Sequence, residues 1–413
     1  MTAQPLNSDQ TRDQWPAGSG MIYLGMSGWH DMWKSRHQLM SRFAKVMPVV
    51  YVEPWVSLNS IRKRRTGLSR VLSDICTPMT SKVGQNLTVL RSSASRPVSG
   101  SDLLAAVTQK HWLRGIRRAA RSAGITSPIL WICRPEMAFS IGQLGEQFSI
   151  YHIVDEYLGY TGVTADDRER LVTQEADVLG KVDLAIAASP ELVETKIGRG
   201  REVMLLENGV SSREFRSARE DSVTPKDMES IPRPRLGYSG LIGKRLNLDM
   251  MLEVAEKRED WSIVFIGKVD TRECLAEVSR LESLHNVYFL GEKRPEEVAS
   301  YITALDVGLL PYAVNLETQH ISPIKMYEYW AAGKPVVGTS IPATRRNRSA
   351  IRIADTASDF IKKVDQSLSS FDESDRRRLI ALASDNSWQS RVNRVSEELL
   401  ARLNTVSTEI ETS

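Results

Sequence analysis

Short runs of β-branched and apolar residues alternate with helical patterns along nearly the whole chain, and that alternation leaves few folds open. Strands separated by helices pair in parallel, and a parallel sheet is stable only with helices on both faces. Such runs fall at residues 21–26, 49–54, 86–91, 128–133, 148–154, 184–189 and 202–207, and again at 235–239, 261–267, 286–290, 307–310 and 335–339. Between the two sets, residues 211–234 are polar and charged, contain Pro225, Pro232 and Pro234, and show no clear period. The pattern predicts a linker there. Length agrees with two domains, because 413 residues exceed what one core sustains. The expected division is a flexible 1–20, a first α/β domain over 21–210, a linker over 211–234, a second α/β domain over 235–383, and a terminal helical segment over 384–405. Leu248, Met251, Leu252 and Ala255 keep helical spacing, as do Val298, Tyr301, Ile302 and Leu305 in the second domain and Val392, Val395, Leu399 and Leu403 near the end.

A hydrophobic content of 41% with 25% charged residues excludes bulk disorder. Cys76, Cys133 and Cys274 lie far apart, which argues against a disulfide framework or zinc cluster and fits a reducing compartment. Residues 1–20 lack the apolar core of a secretory signal, and no apolar run reaches the roughly 18 residues of a membrane span, so a cytoplasmic location is expected. The net charge of +3 hides an asymmetry: residues 1–130 carry 18 Lys and Arg against 6 Asp and Glu, leaving 36 against 45 in the rest. Arg62, Lys63, Arg64 and Arg65 form one run. Lys110, Arg114, Arg117, Arg118 and Arg121 share one face of an expected helix whose apolar side holds Leu103, Leu104, Val107, Leu113 and Ile116. Two readings stand level: a basic surface for the anionic inner leaflet of the membrane, or a solvated helix face. Nucleic acid is not expected, since no groove-reading motif or stacking aromatic pattern is present.

The sharpest local feature is the stretch from Ser322 to Val337. Ser322 suits a helix N-cap, Pro323 the first helical position and Gly333 the exit before an apolar strand. Lys325 then falls in the first turn, where the helix dipole disfavours a cation unless an anion is bound beside it. Glu328 shares a stripe with Ile324, Tyr327 and Ala331, an apolar position by its spacing, and a carboxylate there suits ribose hydroxyls. A helix-stabilising Lys325–Glu328 pair on a solvated face is the competing reading. In the first domain, Asp155 and Glu156 end an expected strand, where one of them would orient or deprotonate a hydroxyl, although Asp155 equally suits a turn cap. Gly25, Gly28, His30 and Asp31 follow the first strand and form a candidate substrate loop.

Ser322-Pro-Ile-Lys-Met-Tyr-Glu-Tyr-Trp-Ala-Ala-Gly-Lys-Pro-Val-Val resembles the donor-binding signature of GT-B glycosyltransferases, close to family 4 and the teichuronic-acid-type enzymes of bacterial polysaccharide synthesis. Leu206-Glu-Asn-Gly-Val, Arg235-Leu-Gly-Tyr-Ser-Gly and Ala304-Leu-Asp-Val-Gly-Leu-Leu-Pro resemble further landmarks of the same domain, in the expected order. Residues 29–39, Val52-Glu-Pro and Tyr151-His-Ile-Val-Asp-Glu-Tyr resemble elements of the acceptor domain.

The resemblance implies an α/β GT-B fold, two Rossmann-like doubly wound domains facing across a cleft, with the last helix packing back on the first domain. It implies transfer of a sugar from a nucleotide diphosphate sugar to a glycan or lipid-linked acceptor hydroxyl, with retention and without metal or other cofactor. Glu328 would bind ribose. Residues 322–325 (Ser322, Pro323, Ile324 and Lys325) would hold the diphosphate with Lys244 or Arg245. Where family 4 enzymes often carry a first Glu, eight positions before Glu328, this chain has His320, with Glu317 nearby; His320 is a candidate catalytic residue or a structural one. A nucleotide-sugar epimerase of the same architecture and a non-catalytic nucleotide-sugar-binding partner subunit are the alternatives.

Overall fold

The structure, a computed structural model, describes residues 14–31, 33–54, 80–91, 102–156, 164–197 and 202–411. The chain divides into two compact units. The first holds the described residues up to Ala188, Leu192–Leu206 and the chain from Val392 onward; the second holds Ser189–Glu191 and Glu207–Arg391.

The first unit is built on eight strands: β1 (Ser19–Leu24), β2 (Val49–Val52), β3 (Thr80–Gly84), β4 (Leu87–Leu90), β5 (Ser127–Ile132), β6 (Phe148–Ile153), β7 (Leu184–Ala187) and β8 (Val203–Leu205). Their order is β3-β4-β2-β1-β5-β6-β7-β8, and every pair is parallel except β3 with β4. Strands β1, β2, β6 and β7 are buried at each position, the expected result of helices covering both faces.

The second unit has six parallel strands, β9 (Arg235–Ser239), β10 (Ser262–Ile266), β11 (Val287–Phe289), β12 (Val307–Leu310), β13 (Val336–Gly338) and β14 (Arg352–Ile353). Their order is β11-β10-β9-β12-β13-β14, the 3-2-1-4-5-6 winding of a Rossmann fold, with its direction reversing between β9 and β12. The first sheet reverses likewise between β1 and β5. Ligands of doubly wound sheets bind at the carboxyl ends of the strands flanking such a reversal.

Three expectations are corrected. Residues 211–234 are not a linker. They form helices Ser212–Asp221 and Lys226–Glu229, and Phe215, Ala218, Met228 and Ile231 lie in the second unit's core. Helices this short, separated by Pro225, carry too few turns to show a period. Residues 14–20 are not loose, since Trp15 is buried and β1 starts at Ser19, while residues 1–13 lie outside the described residues. The terminal helix runs from Trp388 to Glu411, beyond the expected 405, with its residues from Val392 counted in the first unit. The edge strands β3 and β14 were not expected; β3 is exposed throughout and β14 is two residues long, so neither leaves a buried apolar run.

Candidate donor site

In the second unit, the turn after β9 and the helix Ile324–Ala331 are brought together by backbone that tolerates no side chain. Gly240 and Gly267 end β9 and β10 with φ of +148° and +147°, a region that favours glycine. A Cβ on Gly267 would stand 1.9 Å from the Gly240 carbonyl oxygen, and one on Gly240 would stand 3.2 Å from Lys325 Cε. The strand end thus reaches the first turn of the helix directly. Tyr329, on the helix's inner face, lies over Gly308, where a Cβ would stand 2.4 Å from its ring. Its buried hydroxyl accepts from the Ser239 amide at 3.1 Å and lies within hydrogen-bond reach of the Gly237 and Leu309 carbonyls, at 3.1 and 3.2 Å. A buried hydroxyl with three backbone partners fixes the helix against β9 and β12. The helix ends at Gly333, φ +66°, where Lys334 N–H bonds the Tyr329 carbonyl in a Schellman arrangement.

The helix begins one residue later than expected. Pro323 is the N-cap, extended at φ −68° and ψ 112°, and no side chain caps the helix. Ser322 is committed elsewhere: its hydroxyl accepts from the Asn208 amide at 3.3 Å and its carbonyl accepts from Asn208 Nδ2 at 2.6 Å. Asn208 comes from the Leu206-to-Val210 motif, which therefore shapes the approach to the helix. Ile324 is the first helical residue and Lys325 the second.

Lys325 and Glu328 are paired at 2.9 Å, but their side chains are only 22% and 16% exposed, so this is not a solvated face. The turn after β9 carries Lys244 and Arg245, and it is strapped to the end of β12 by Asn247 N–H to Pro311 O and Ala313 N–H to Arg245 O. Burial pushes the Tyr312 hydroxyl up to about 12, with the Arg245 charge lowering it and the Glu328 charge raising it.

Glu317, in the loop after β12, stands 3.2 Å from Lys244 and 3.9 Å from Arg245, and Glu273 stands 3.3 Å from Lys244. Burial works against the Lys244 charge, but these carboxylates outweigh it and hold its pKa above the ordinary lysine value. Lys244, Arg245 and Lys325 thus face Glu273, Glu317 and Glu328. Sequence reading noticed Glu317 only as a neighbour of His320; pairing with cations some 70 residues away leaves no local signal. His320 holds the loop by its backbone, its carbonyl accepting from Ser189 Oγ at 2.8 Å, while its Nδ1 is buried without a hydrogen-bond partner.

In the first unit, Asp155 Oδ1 accepts from the Glu156 amide at 3.0 Å, as a turn cap does. Glu156 is bound at 2.9 Å by the fully buried Lys196, which also holds Glu175 at 2.8 Å. Gly28 N–H donates to Asp31 at 2.8 Å, and His30 and Asp31 are exposed. On the helix Asp102–Ser122, Lys110, Arg114, Arg118 and Arg121 are exposed, whereas Arg117 is half-buried with Nε donating to the Leu113 carbonyl at 3.4 Å. Arg62, Lys63, Arg64 and Arg65 lie outside the described residues.

Residues 233–370, within the second unit, match the family model described as Glycosyl transferases group 1. The chain is 31% identical over 193 residues to the Bacillus subtilis protein TuaH, whose name assigns it to teichuronic acid biosynthesis as a glycosyltransferase. That match covers 46% of this chain and 48% of the other, so the chain spans about half the length of the curated relative it matches. Among solved structures, the sucrose-phosphate synthase of Thermosynechococcus elongatus superposes with a TM-score of 0.66 at 15% identity, covering 94% of this chain and all of that one. Anabaena HepE, in complex with UDP and glucose, superposes with a TM-score of 0.65 at 11% identity, covering 92% and 99%. The two Rossmann-like units share the GT-B fold of these proteins.

Proposed function

We propose that the chain transfers a sugar from a nucleoside diphosphate sugar to a hydroxyl of a bacterial glycan or lipid-linked acceptor. The observation that carries this reading is the close approach of the turn after β9, at Gly240, to Lys325 in the first turn of the helix that also bears Glu328, beside the sheet reversal between β9 and β12. The uncapped helix start would receive the diphosphate, with Lys325 in its first turn and Lys244 and Arg245 opposite. As the bond from sugar to phosphate breaks, the nucleoside diphosphate gathers negative charge, and fixed cations stabilise that charge most where it grows. We read the transfer as metal-independent, because these cations can supply the charge stabilisation, and as retaining, following the family resemblance. Glu328 would accept from the ribose hydroxyls once Lys325 turns to phosphate. Asp155 is the candidate to orient the acceptor hydroxyl.

UDP is the first nucleotide to test, since Anabaena HepE binds it. A thermal-shift series of UDP, GDP and ADP against wild type, Lys325→Ala and Glu328→Ala should show one nucleotide stabilising the wild type and neither variant. Absence of stabilisation by all three nucleotides would sink the reading.

No described helix is long and apolar enough to cross a membrane. The exposed Lys110, Arg114, Arg118 and Arg121 support peripheral binding to the anionic inner face of the cell membrane, where a lipid-linked acceptor would be presented. Replacing Arg114, Arg118 and Arg121 by Gln should weaken sedimentation with anionic liposomes; unchanged sedimentation would refute it.

A further inference from the structure

The first sheet has its own reversal, between β1 and β5, and the helix that follows β1 there carries a cation the donor site does not use. Arg36 lies in the first turn of Ser35–Phe43, half-buried. Its guanidinium donates to Ser27 Oγ and lies against the Tyr51 hydroxyl, while among the described residues its buried Nε has no hydrogen-bond partner and no carboxylate pairs with it. The acids nearby are engaged: Asp31 takes the Gly28 amide at 2.8 Å, and Glu53 takes the Trp29 amide at 2.9 Å and faces Arg91 at 4.0 Å. A half-buried guanidinium without a counter-ion is unfavourable unless a ligand supplies one.

The next residue repeats the pattern. His37 is fully buried, and its Nδ1 accepts from the Lys34 amide at 2.9 Å. Burial, with the Arg36 charge second, pushes His37 down to about 4, although backbone contacts with Gly28 and Lys34 act the other way. The ring is therefore neutral near pH 7, and with Nδ1 accepting, its proton sits on Nε2. Among the described residues that buried nitrogen has no hydrogen-bond partner of good geometry, although the Gly28 backbone lies beside the ring. Both unpartnered atoms, Arg36 Nε and His37 Nε2, are donors. Donors with a positive charge and no acceptor call for an oxyanion. The walls are aromatic: Trp33, 37% exposed, stacks on His37 with ring centroids 4.8 Å apart, and Trp29 stands edge-on to both at 5.5 and 5.1 Å. Apolar ring faces beside a few fixed polar groups are the usual lining of a small-molecule site.

We propose that Arg36, His37 and Trp33 form an oxyanion subsite for the acceptor, holding a phosphate or carboxylate group carried by the acceptor sugar. This rests on the glycosyltransferase reading for its purpose and on the geometry of the first unit alone for its chemistry. Arg36 supplies the charge and Trp33 an exposed ring face for the sugar. A neutral sugar would leave the guanidinium as unpaired as it is without ligand.

The test uses the full chain, with calorimetry and tryptophan fluorescence, against glucose 6-phosphate, glucuronate, glucose and inorganic phosphate. The expected result is that at least one charged sugar binds about tenfold or more tightly than glucose, and perturbs the Trp29 and Trp33 emission. Arg36→Gln should erase that preference, and Arg36→Lys, which keeps the charge and loses the fork, should retain part of it. UDP-induced stabilisation should be the same in both variants as in wild type. Equal binding of charged and neutral sugars, a preference surviving in Arg36→Gln, or no sugar binding at all would overturn the proposal. Inorganic phosphate binding as tightly as the best sugar would reduce the site to an adventitious ion and also overturn it. Loss of UDP stabilisation across all proteins, with the Arg36-dependent preference intact, would instead remove the donor reading and leave the anion site standing.

Discussion

Replacing Glu317 by Gln should tighten nucleotide binding, the opposite of what loss of an acid beside a binding site usually brings. The Glu317 carboxylate holds Lys244 at 3.2 Å and Arg245 at 3.9 Å, and a diphosphate bound as proposed would compete for the same two cations. A unit-charge pair at such distances is worth about 4 kcal/mol at an effective dielectric of about 20. Lys244 and Arg245 are 35% and 38% exposed, so water screens both pairs towards the surface range of under about 1 kcal/mol each. Two pairs then give a gain of about 1–1.5 kcal/mol, or roughly tenfold in Kd. Gln keeps the shape and hydrogen-bonding capacity, and Glu273 still holds Lys244 at 3.3 Å, so the cations stay in place. Titration calorimetry of UDP and a UDP-sugar into wild type and variant reads this directly, and the gain should shrink with added salt. An unchanged or weaker Kd in Glu317→Gln would show that the carboxylate orients the cations for the donor rather than competing with it, and the argument would fail.

Gly267→Ala should reduce donor binding and lower stability by about 2 kcal/mol or more, because the new Cβ meets a backbone oxygen 1.9 Å away that no rotamer change can move; thermal melts with and without UDP check both effects. Burial pushes the Lys334 pKa down to about 8, so the unfolded chain binds its proton more tightly, the penalty is full below pH 8, and it fades as pH rises towards the ordinary lysine value. Lys334→Met should accordingly stabilise the protein at pH 7 by up to about 3 kcal/mol, less at pH 10, as denaturant titrations at the two pH values would show. Burial likewise pushes His152 and His37 down to about 4, so each contributes stability that is full above about pH 6.5 and is lost as pH falls to 4; the midpoint of acid unfolding, followed by tryptophan fluorescence, should drop in His152→Phe if the aromatic ring packs in the same space. Lys196→Met, which removes the buried cation shared by Glu156 and Glu175, should destabilise by about 3 kcal/mol, and adding Glu175→Gln should recover part of the loss in the same denaturation assay.

What the sequence made legible is what repeats or is local. The central strands β1, β2, β5, β10 and β12 are largely apolar runs because both their faces are covered, and such runs can be read without knowing what covers them. The helix bearing Lys325 and Glu328 was legible from its end signals, Pro323 and Gly333, and its two charged residues stood out by breaking dipole and stripe rules. The segment 211–234 was misread because its helices are shorter than the window in which a period shows, and what orders them is burial of Phe215, Met228 and Ile231 against residues far along the chain. Ser322 was misplaced because a cap preference is weaker than the hydrogen bonds Asn208 offers it. Glu317 and Glu273 could not be assigned at all, since an ion pair with Lys244 depends on which loops the sheet winding brings to one strand end.

The two sheets use the same topology to present different chemistry. Each reverses direction beside its first strand, and at each reversal a turn lies beside a helix start: in the first unit the helix Ser35–Phe43 that follows β1, in the second the helix Ile324–Ala331 that precedes β13. In the second unit Lys244 and Arg245 are matched by Glu273 and Glu317, and Lys325 by Glu328, a balance that a bound phosphate would exchange for its own charge. In the first unit the place is aromatic, with Arg36 Nε and His37 Nε2 left without hydrogen-bond partners among the described residues. A matched set of charges favours a ligand that arrives and leaves with each turnover, because protein carboxylates replace it when it goes. An unmatched donor pair has no such replacement and stays unsatisfied until its ligand binds, so selectivity for the acceptor's charge would be built into the first unit and rapid donor exchange into the second.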